Sequence, residues 1–371
     1  MKKIAKIAAI VLAVAMLASC FAGCGEKKEE VFFIGATGPL TGDASSYGTS
    51  VNNGAMLAIE EINANGGLNG IKFKFEMKDD KATAEDAATG YDALMDAGMQ
   101  ISIGSVTSGS CESFASKSVS DNLFFITPSA SAANVIADRA NGFRVCFGDP
   151  DQGTLAAEKL AAEYKNIGVI YDNSDAYSKG IYDAFKAAMD EKKVTFKAQP
   201  FDQENKKDFS THVEALKDCD VIFLPIYYTE AGLIAKTCVA KGCKAVLFGC
   251  DGLDGVADQI DDTVTNKISY ITPFDANSTA AKPKHFVDAY KAKYNETPDQ
   301  FAADGYDAIY AIYEAMKAAN IDDASIEVSA LCEAVKKAIT AEGFKLDGAT
   351  GLMSWDATGA CTKVPQIVAV N

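Results

Sequence analysis

Short apolar runs alternate with helix-length amphipathic stretches along most of the chain. No other feature constrains the fold as tightly. The first series has runs at Val31–Ala36, Ile71–Met77, Ile101–Val106 and Phe124–Ile126. Helical spacing lies between them, for example Val51, Ala55, Ala58, Ile59 and Ile62, closed by Asn65-Gly66-Gly67. A second series runs Ile167–Tyr171, Val194–Ala198, Val221–Pro225, Ala245–Phe248 and Ile268–Ile271. Helices are expected near Tyr177–Asp190, near Phe209–Leu216 and at Glu230–Ala240. Strands alternating with helices predict βαβ units and parallel sheets. Turn-rich segments at Val145–Asp151 and Thr272–Phe274 separate the two series, which predicts two lobes with a cleft between them. The rest is helical at His285–Tyr294, Phe301–Ala318 and Val328–Ile339, before a last strand at Gln366–Val370.

Within this pattern the stretch Ile101–Ser131 carries chemistry. Two of its apolar runs end in hydroxyl-rich turns, Thr107-Ser108-Gly109-Ser110 and Thr127 to Ser131. In parallel neighbours both turns lie at the carboxyl edge of one sheet, where open α/β sheets bind ligands. Short side chains admit backbone N–H groups to a ligand, and a helix N-terminus favours an anion. These turns therefore suit a small carboxylate. They also suit ordinary helix capping, which does not exclude binding.

Charge narrows the partners. The formal net charge is −16, and losing the three leader lysines Lys2, Lys3 and Lys6 makes it −19. Nucleic-acid binding needs basic patches, so it is not expected here. Those lysines precede the apolar run Ile7–Leu17, which is too short to span a bilayer. Leu17-Ala18-Ser19-Cys20 and Phe21-Ala22-Gly23-Cys24 follow, and both resemble a bacterial lipobox. Cys24 is favoured as the lipidated residue, because the polar stretch GEKKEE follows it; Cys20 is the alternative. The chain is thus expected to be exported and held to the outer face of the cell membrane by lipid alone. The eight later cysteines show no CxxC and no clustering with the two histidines, His212 and His285, so no metal site is expected. Cys219 and Cys243 each start an apolar strand and could be neighbours; equally, all eight could be free.

Catalytic patterns are missing. There is no GxxxxGK[ST], and Gly35-Ala36-Thr37-Gly38 lacks GxGxxG spacing, so no nucleotide cofactor is implied. No GxSxG elbow occurs. His212 and His285 sit among polar helix residues and read as solvated surface. A pocket without acid–base groups favours a binder over an enzyme.

From Ile34 to Asp80 the chain reads IGATGPLTGDASSYGTSVNNGAMLAIEEINANGGLNGIKFKFEMKDD. GPLTG, the YG, AIEEINANGG, the NG and the closing DD, in that order, resemble the type I periplasmic binding proteins of the leucine/isoleucine/valine-binding family. The resemblance continues through the serine turns to Trp355-Asp356. It implies an α/β protein with two doubly wound parallel-sheet lobes joined by three hinge crossings. It also implies an amino acid held in the cleft and delivered to an ABC transporter permease. Ser108 matches the serine that binds the ligand carboxylate. Ser129 and Ser131, with Ala130 between them, match the segment that contacts carboxylate and amino group. Tyr47 matches the aromatic of the first loop, and Tyr177 the tyrosine that closes down from the second lobe. Tyr227 and Asp251 match second-lobe strand ends, and Phe301 borders the side-chain pocket. Chemically, Asp251 would be the countercharge for an ammonium; it also reads as a turn former before Gly252. Tyr47, Tyr177, Tyr227 and Phe301 also read as core aromatics. Several family members have Glu where Asp251 stands. Some have a disulfide between the positions of Ala82 and Thr107, which this chain cannot form.

The resulting expectation is a monomeric solute-binding lipoprotein for an α-amino acid, branched-chain or aliphatic first and aromatic second. The alternative is a sensing module that couples lobe closure to a signalling partner. The expected organisation is a signal peptide at 1–23 and a tether at 24–30. One lobe comprises 31–149 and 275–350; the other comprises 150–274 and 351–371.

Overall fold

The computed structural model describes residues 30–370. Cys20, Cys24 and the tether up to residue 29 lie outside the described residues. The first sheet has the order β2-β1-β3-β4-β5, from Val31–Gly38 (β1), Lys72–Asp79 (β2), Ile101–Ser102 (β3), Phe125–Thr127 (β4) and Gly142–Arg144 (β5). β1 runs parallel to β3, with Ile34 opposite Ile101, and β3, β4 and β5 continue parallel. The second sheet has the order β13-β10-β9-β8-β6-β7. Its strands are Ile167–Asp172 (β6), Lys197–Phe201 (β7), Val221–Leu224 (β8), Val246–Gly249 (β9), Ile268–Thr272 (β10) and the edge strand Gln366–Ala369 (β13). β6 to β10 are parallel, and only β13 runs antiparallel, on β10. A small hairpin, Leu346–Gly348 (β11) with Gly351–Met353 (β12), completes the strands.

The five parallel strands of the second sheet repeat the order of the first. In each, the second strand in sequence lies outside the first and the third lies inside it. That reversal is the switch point of a doubly wound sheet, and it opens a crevice at the carboxyl ends of the strands. The helices follow the apolar periodicity. Ser45–Ala64 (α1) buries Val51, Ala55, Ala58, Ile59 and Ile62. Ala84–Asp96 (α2) is capped by Thr83, which accepts from the Asp86 N–H at 3.1 Å. Ser108–Asp121 (α3) ends at Asn122 in the left-handed region. Asp149–Glu163 (α4), Ala176–Lys192 (α5), Ser210–Leu216 (α6) and Tyr228–Lys241 (α7) serve the second sheet. Ala281–Tyr294 (α8), Gln300–Ala318 (α9) and Val328–Ile339 (α10) follow β10.

The chain passes between the sheets three times: after β5, after β10, and at the segment before β13. The last passage is pinned from both sides. Trp355 Nε1 donates to the Arg144 carbonyl at 2.7 Å. The Lys363 ammonium, with its side chain 0% exposed, pairs with Asp304 Oδ1 of α9 at 2.6 Å.

Three expectations shift. The second strand of the second lobe is Lys197–Phe201 instead of Val194–Ala198, because Val194 closes α5 through its N–H to the Met189 carbonyl. Tyr47 is not in a loop: α1 begins at Ser45 and includes it. His212 is half-buried between the rings of Phe201 and Phe209, whereas His285 is exposed as expected. All eight described cysteines are free. Burial raises the thiols of both Cys219 and Cys238, and Cys243 stands beside each.

α1 and α9 meet backbone to backbone. A Cβ on Gly54 would lie 1.9 Å from the Ala302 carbonyl oxygen, and one on Gly305 would lie 2.5 Å from that of Val51. Any side chain at either position must push the helices apart. Gly54→Ala is expected to destabilise the protein by about 1–3 kcal/mol, despite the better helix propensity of alanine. Urea unfolding measures this, and an unchanged midpoint would contradict the close approach.

Candidate functional site

The crevice between the sheets is walled by the first turns of helices. Tyr47 is the third residue of α1 and Ser108 the first of α3. Tyr177 is the second residue of α5, Tyr227 is the N-cap of α7, and Phe301 is the second residue of α9. Asp251 follows β9, and Ser129 follows β4. A doubly wound sheet sends every strand into a helix at the same edge, so residues far apart in sequence converge there. First-turn N–H groups have no intrahelical acceptor, and they leave partial positive charge at that edge.

Tyr47, Ser108, Ser129, Tyr177, Tyr227, Asp251 and Phe301 line one cavity, together with Val106, Thr107 and Gly252. The aromatics pack against each other across the cleft. Tyr47 lies 4.1 Å from Phe301 and 5.6 Å from Tyr227, centroid to centroid. Tyr177 stacks on Tyr227 at 5.1 Å. The Tyr47 hydroxyl donates to the Gly252 carbonyl and accepts from the Tyr228 N–H at 3.1 Å, which ties α1 to the opposite lobe. The cavity encloses about 10 Å³, room for about one water molecule. Admission of anything larger requires the lobes to part or the rings to turn.

Asp251 is 5% exposed and has no cation as partner among the described residues. Its Oδ1 accepts from the Tyr177 hydroxyl at 2.7 Å and from the Gly252 N–H at 2.9 Å. Its own N–H donates to Gln152 Oε1 at 3.1 Å, and its carbonyl accepts from Gln300 Nε2 at 2.6 Å. Burial pushes the carboxyl up to about 6, although the bonds from the Tyr177 hydroxyl and the Gly252 N–H favour the ionised form. Burial also raises the Tyr47, Tyr177 and Tyr227 hydroxyls well above their ordinary range, so all three are protonated donors.

The opposite wall is neutral. Ser108 Oγ accepts from the Ala132 N–H at 3.1 Å, which leaves its own proton to donate. Ser129 instead donates to the Val106 carbonyl at 2.7 Å. Ala130 and Ser131 do not line the cavity. The Ala130 N–H bonds to Thr127 Oγ1 at 3.0 Å, and the Ser131 carbonyl accepts from the Asp149 N–H at 3.0 Å and from the Arg144 guanidinium. Sequence reasoning missed Thr107. It is the N-cap of α3, but its hydroxyl makes no cap bond and has no partner, although the residue is only 6% exposed. Its place in the hydroxyl-rich turn was the available signal. Gln152 and Gln300 were also missed, and nothing local in the sequence marks them.

A model of the periplasmic binding protein family matches residues 32–361. The chain belongs to the periplasmic binding protein family. This is a family of binding proteins, not of enzymes. The Leu/Ile/Val-binding protein BraC3 of Rhizobium johnstonii is 29% identical over 343 residues, 87% of this chain and 91% of that one. The leucine-, isoleucine-, valine-, threonine- and alanine-binding protein of Pseudomonas aeruginosa is 27% identical, covering 88% and 86%. Among solved structures, the branched-chain amino acid transporter substrate-binding protein LivJ of Streptococcus pneumoniae, in complex with isoleucine, superposes with a TM-score of 0.81. It is 27% identical and covers 91% of this chain and 95% of that one. Among the described residues no helix is long and apolar enough to cross a membrane, and no cluster of His, Cys, Asp or Glu could hold a metal ion.

The raised Asp251 carboxyl has a signed consequence. Between its ordinary value and about 6 the folded state holds the proton more tightly than the unfolded state, so stability falls as pH rises through that window. Asp251→Asn is expected to flatten this part of the fall, so that its stability relative to wild type grows from pH 4 to pH 7 in urea titrations. Tyr177→Phe removes a donor to the carboxylate, and carboxyl NMR should then find Asp251 titrating higher than in wild type.

Proposed function

We propose that this periplasmic binding protein is the solute-binding component of an ABC importer and captures an α-amino acid in the cleft between its lobes. The observation that carries the reading is the opposition of Asp251 to the α3 N-terminus across one cavity. A buried carboxylate with no cation suits an ammonium. The Ser108 hydroxyl, the unpartnered Thr107 hydroxyl and the first-turn N–H groups suit a carboxylate. An α-amino acid presents both groups one carbon apart. The ligand then contacts Tyr47, Ser108, Ser129, Tyr177, Tyr227, Asp251 and Phe301, with Ala130 and Ser131 supporting the turn behind Ser129.

The names of the relatives support a branched-chain side chain first, and the aromatic walls leave an aromatic one as the second choice. Binding closes the lobes by a hinge motion at the three crossings and presents the closed form to a permease. The leader lysines, the short apolar run and the paired lipobox-like sequences support a lipid anchor at Cys24, or at Cys20.

Isothermal titration calorimetry with the twenty amino acids is expected to find binding by leucine, isoleucine or valine. A charge-assisted hydrogen bond contributes about 1.5–3 kcal/mol, so Asp251→Ala should weaken that binding by roughly tenfold or more. Absence of binding by every amino acid, or an unchanged affinity in Asp251→Ala, would sink the reading.

A further inference from the structure

α9 begins at the cleft, where Phe301 lines the ligand cavity, and two carboxylates from different parts of the chain meet its first turn. Asp299 is the N-cap, and its Oδ1 accepts from the Ala302 N–H at 2.8 Å. Asp254 comes from the segment that follows β9 of the second sheet, and its Oδ2 accepts from the Gln300 N–H at 3.0 Å. The other two oxygens also take neutral donors. Asp299 Oδ2 accepts from the Ser50 hydroxyl of α1 at 2.6 Å, and Asp254 Oδ1 accepts from the Tyr270 hydroxyl of β10 at 2.8 Å. α9 packs backbone to backbone on α1, which follows the first strand of the first sheet. The bond from Gln300 to Asp254 therefore joins the lobes. Gln300 adds a second bond across the same boundary, from Nε2 to the Asp251 carbonyl at 2.6 Å. α9 thus grips the segment that carries the proposed countercharge for the ligand.

Charge makes this joint conditional. One helix N-terminus offers about half a positive charge, which suits one carboxylate and not two. The surroundings do not supply the rest. Asp254 and Asp299 line a cavity of about 400 Å³ together with Asp258, Asp275 and Glu296, and no Lys, Arg or His is among its lining residues. Tyr270 and Tyr290 are the other titratable groups there, and Asp251 adds an acid on the cleft side. Asp304, the next acid along α9, is already paired with Lys363. Burial raises both carboxyls, and the Asp254 charge raises Asp299 further, to about 7.

We infer that Asp254 and Asp299 form a proton-dependent latch between the lobes: with one proton between them α9 holds the Asp251–Asp254 segment in place, and ionisation of both loosens that hold and weakens ligand binding. Neither residue lines the ligand cavity, so both are positioning residues that act through Asp251. The latch rests on the α-amino-acid reading only where ligand affinity is the readout.

The joined state holds the proton more tightly than the parted state. Affinity is therefore lost as pH rises from the ordinary carboxylate range to about 7, and is level above it. Asp251 acts in the opposite sense, because it must ionise to face an ammonium. Asp299→Asn keeps an oxygen for the Ala302 N–H and removes one charge, so comparison with wild type isolates the latch. In leucine calorimetry the affinity of this variant relative to wild type is expected to grow about tenfold or more from pH 5 to pH 7, and to stay constant from pH 7 to pH 8. If leucine binds and this ratio does not change with pH, the latch is overturned and the amino-acid reading stands. If no amino acid binds, that reading falls, and small-angle X-ray scattering decides the latch. Wild type is then expected to be more compact at pH 5 than at pH 8, and Asp299→Asn equally compact at both. An unchanged wild-type radius of gyration, or a variant that keeps the wild-type change, overturns the latch. Where circular dichroism shows Asp299→Asn unfolded, Asp254→Asn removes the other charge and is read in the same way.

Discussion

Asp251 is a carboxylate buried without a cation, and the arrangement of the cleft follows from that. A lone ionised carboxylate in a low-dielectric interior is costly, and the protein offsets part of the cost with neutral donors. The Tyr177 hydroxyl and the Gly252 N–H both serve this one group. They do not remove the penalty, since the carboxyl still titrates near 6. The remaining deficit is a demand for positive charge. It gives the cavity a polarity, with an acid at one end and a helix N-terminus at the other.

Helix termini explain why that polarity sits between the lobes. Two sheets of the same winding each direct their switch point at the cleft, and each strand hands over to a helix there. Five helix starts therefore wall one small space. The residues at those starts are mostly aromatic, and they bridge the lobes directly. Tyr47 on α1 bonds to both Gly252 and Tyr228 across the cleft. The groups that wall the cavity thus also join the lobes.

The fold was largely legible because βαβ alternation is a local pattern. Strand and helix periods can be counted residue by residue, and two series with turn-rich breaks can only make two lobes. The misreadings came where tertiary contacts override local signals. Val194 looks like the start of a strand but closes α5, since its N–H is drawn to Met189. Tyr47 looks like a loop residue among Gly and Ser, yet its contacts to the other lobe fix it in the first turn of α1. His212 looks polar from its neighbours in sequence, while Phe201 of β7 packs against its ring.

Sequence by itself determined the class of fold, the edge of each sheet that carries chemistry, and the residues at that edge. Strand–turn–helix order and the position of hydroxyl, aromatic and acidic residues within it are properties of the chain written in one dimension. Tertiary structure alone decided which of those residues share a wall. Seven of the nine expected positions line the cavity, while Ala130 and Ser131 do not: the Ala130 N–H is bonded to Thr127 Oγ1 and the Ser131 carbonyl to the Asp149 N–H. It alone showed that the Thr107 side chain makes no cap bond to its helix and that Gln152 holds the Asp251 backbone. The reason is physical. Whether a hydroxyl or carboxylate is satisfied depends on atoms brought from distant segments, and no local pattern records where those atoms end up.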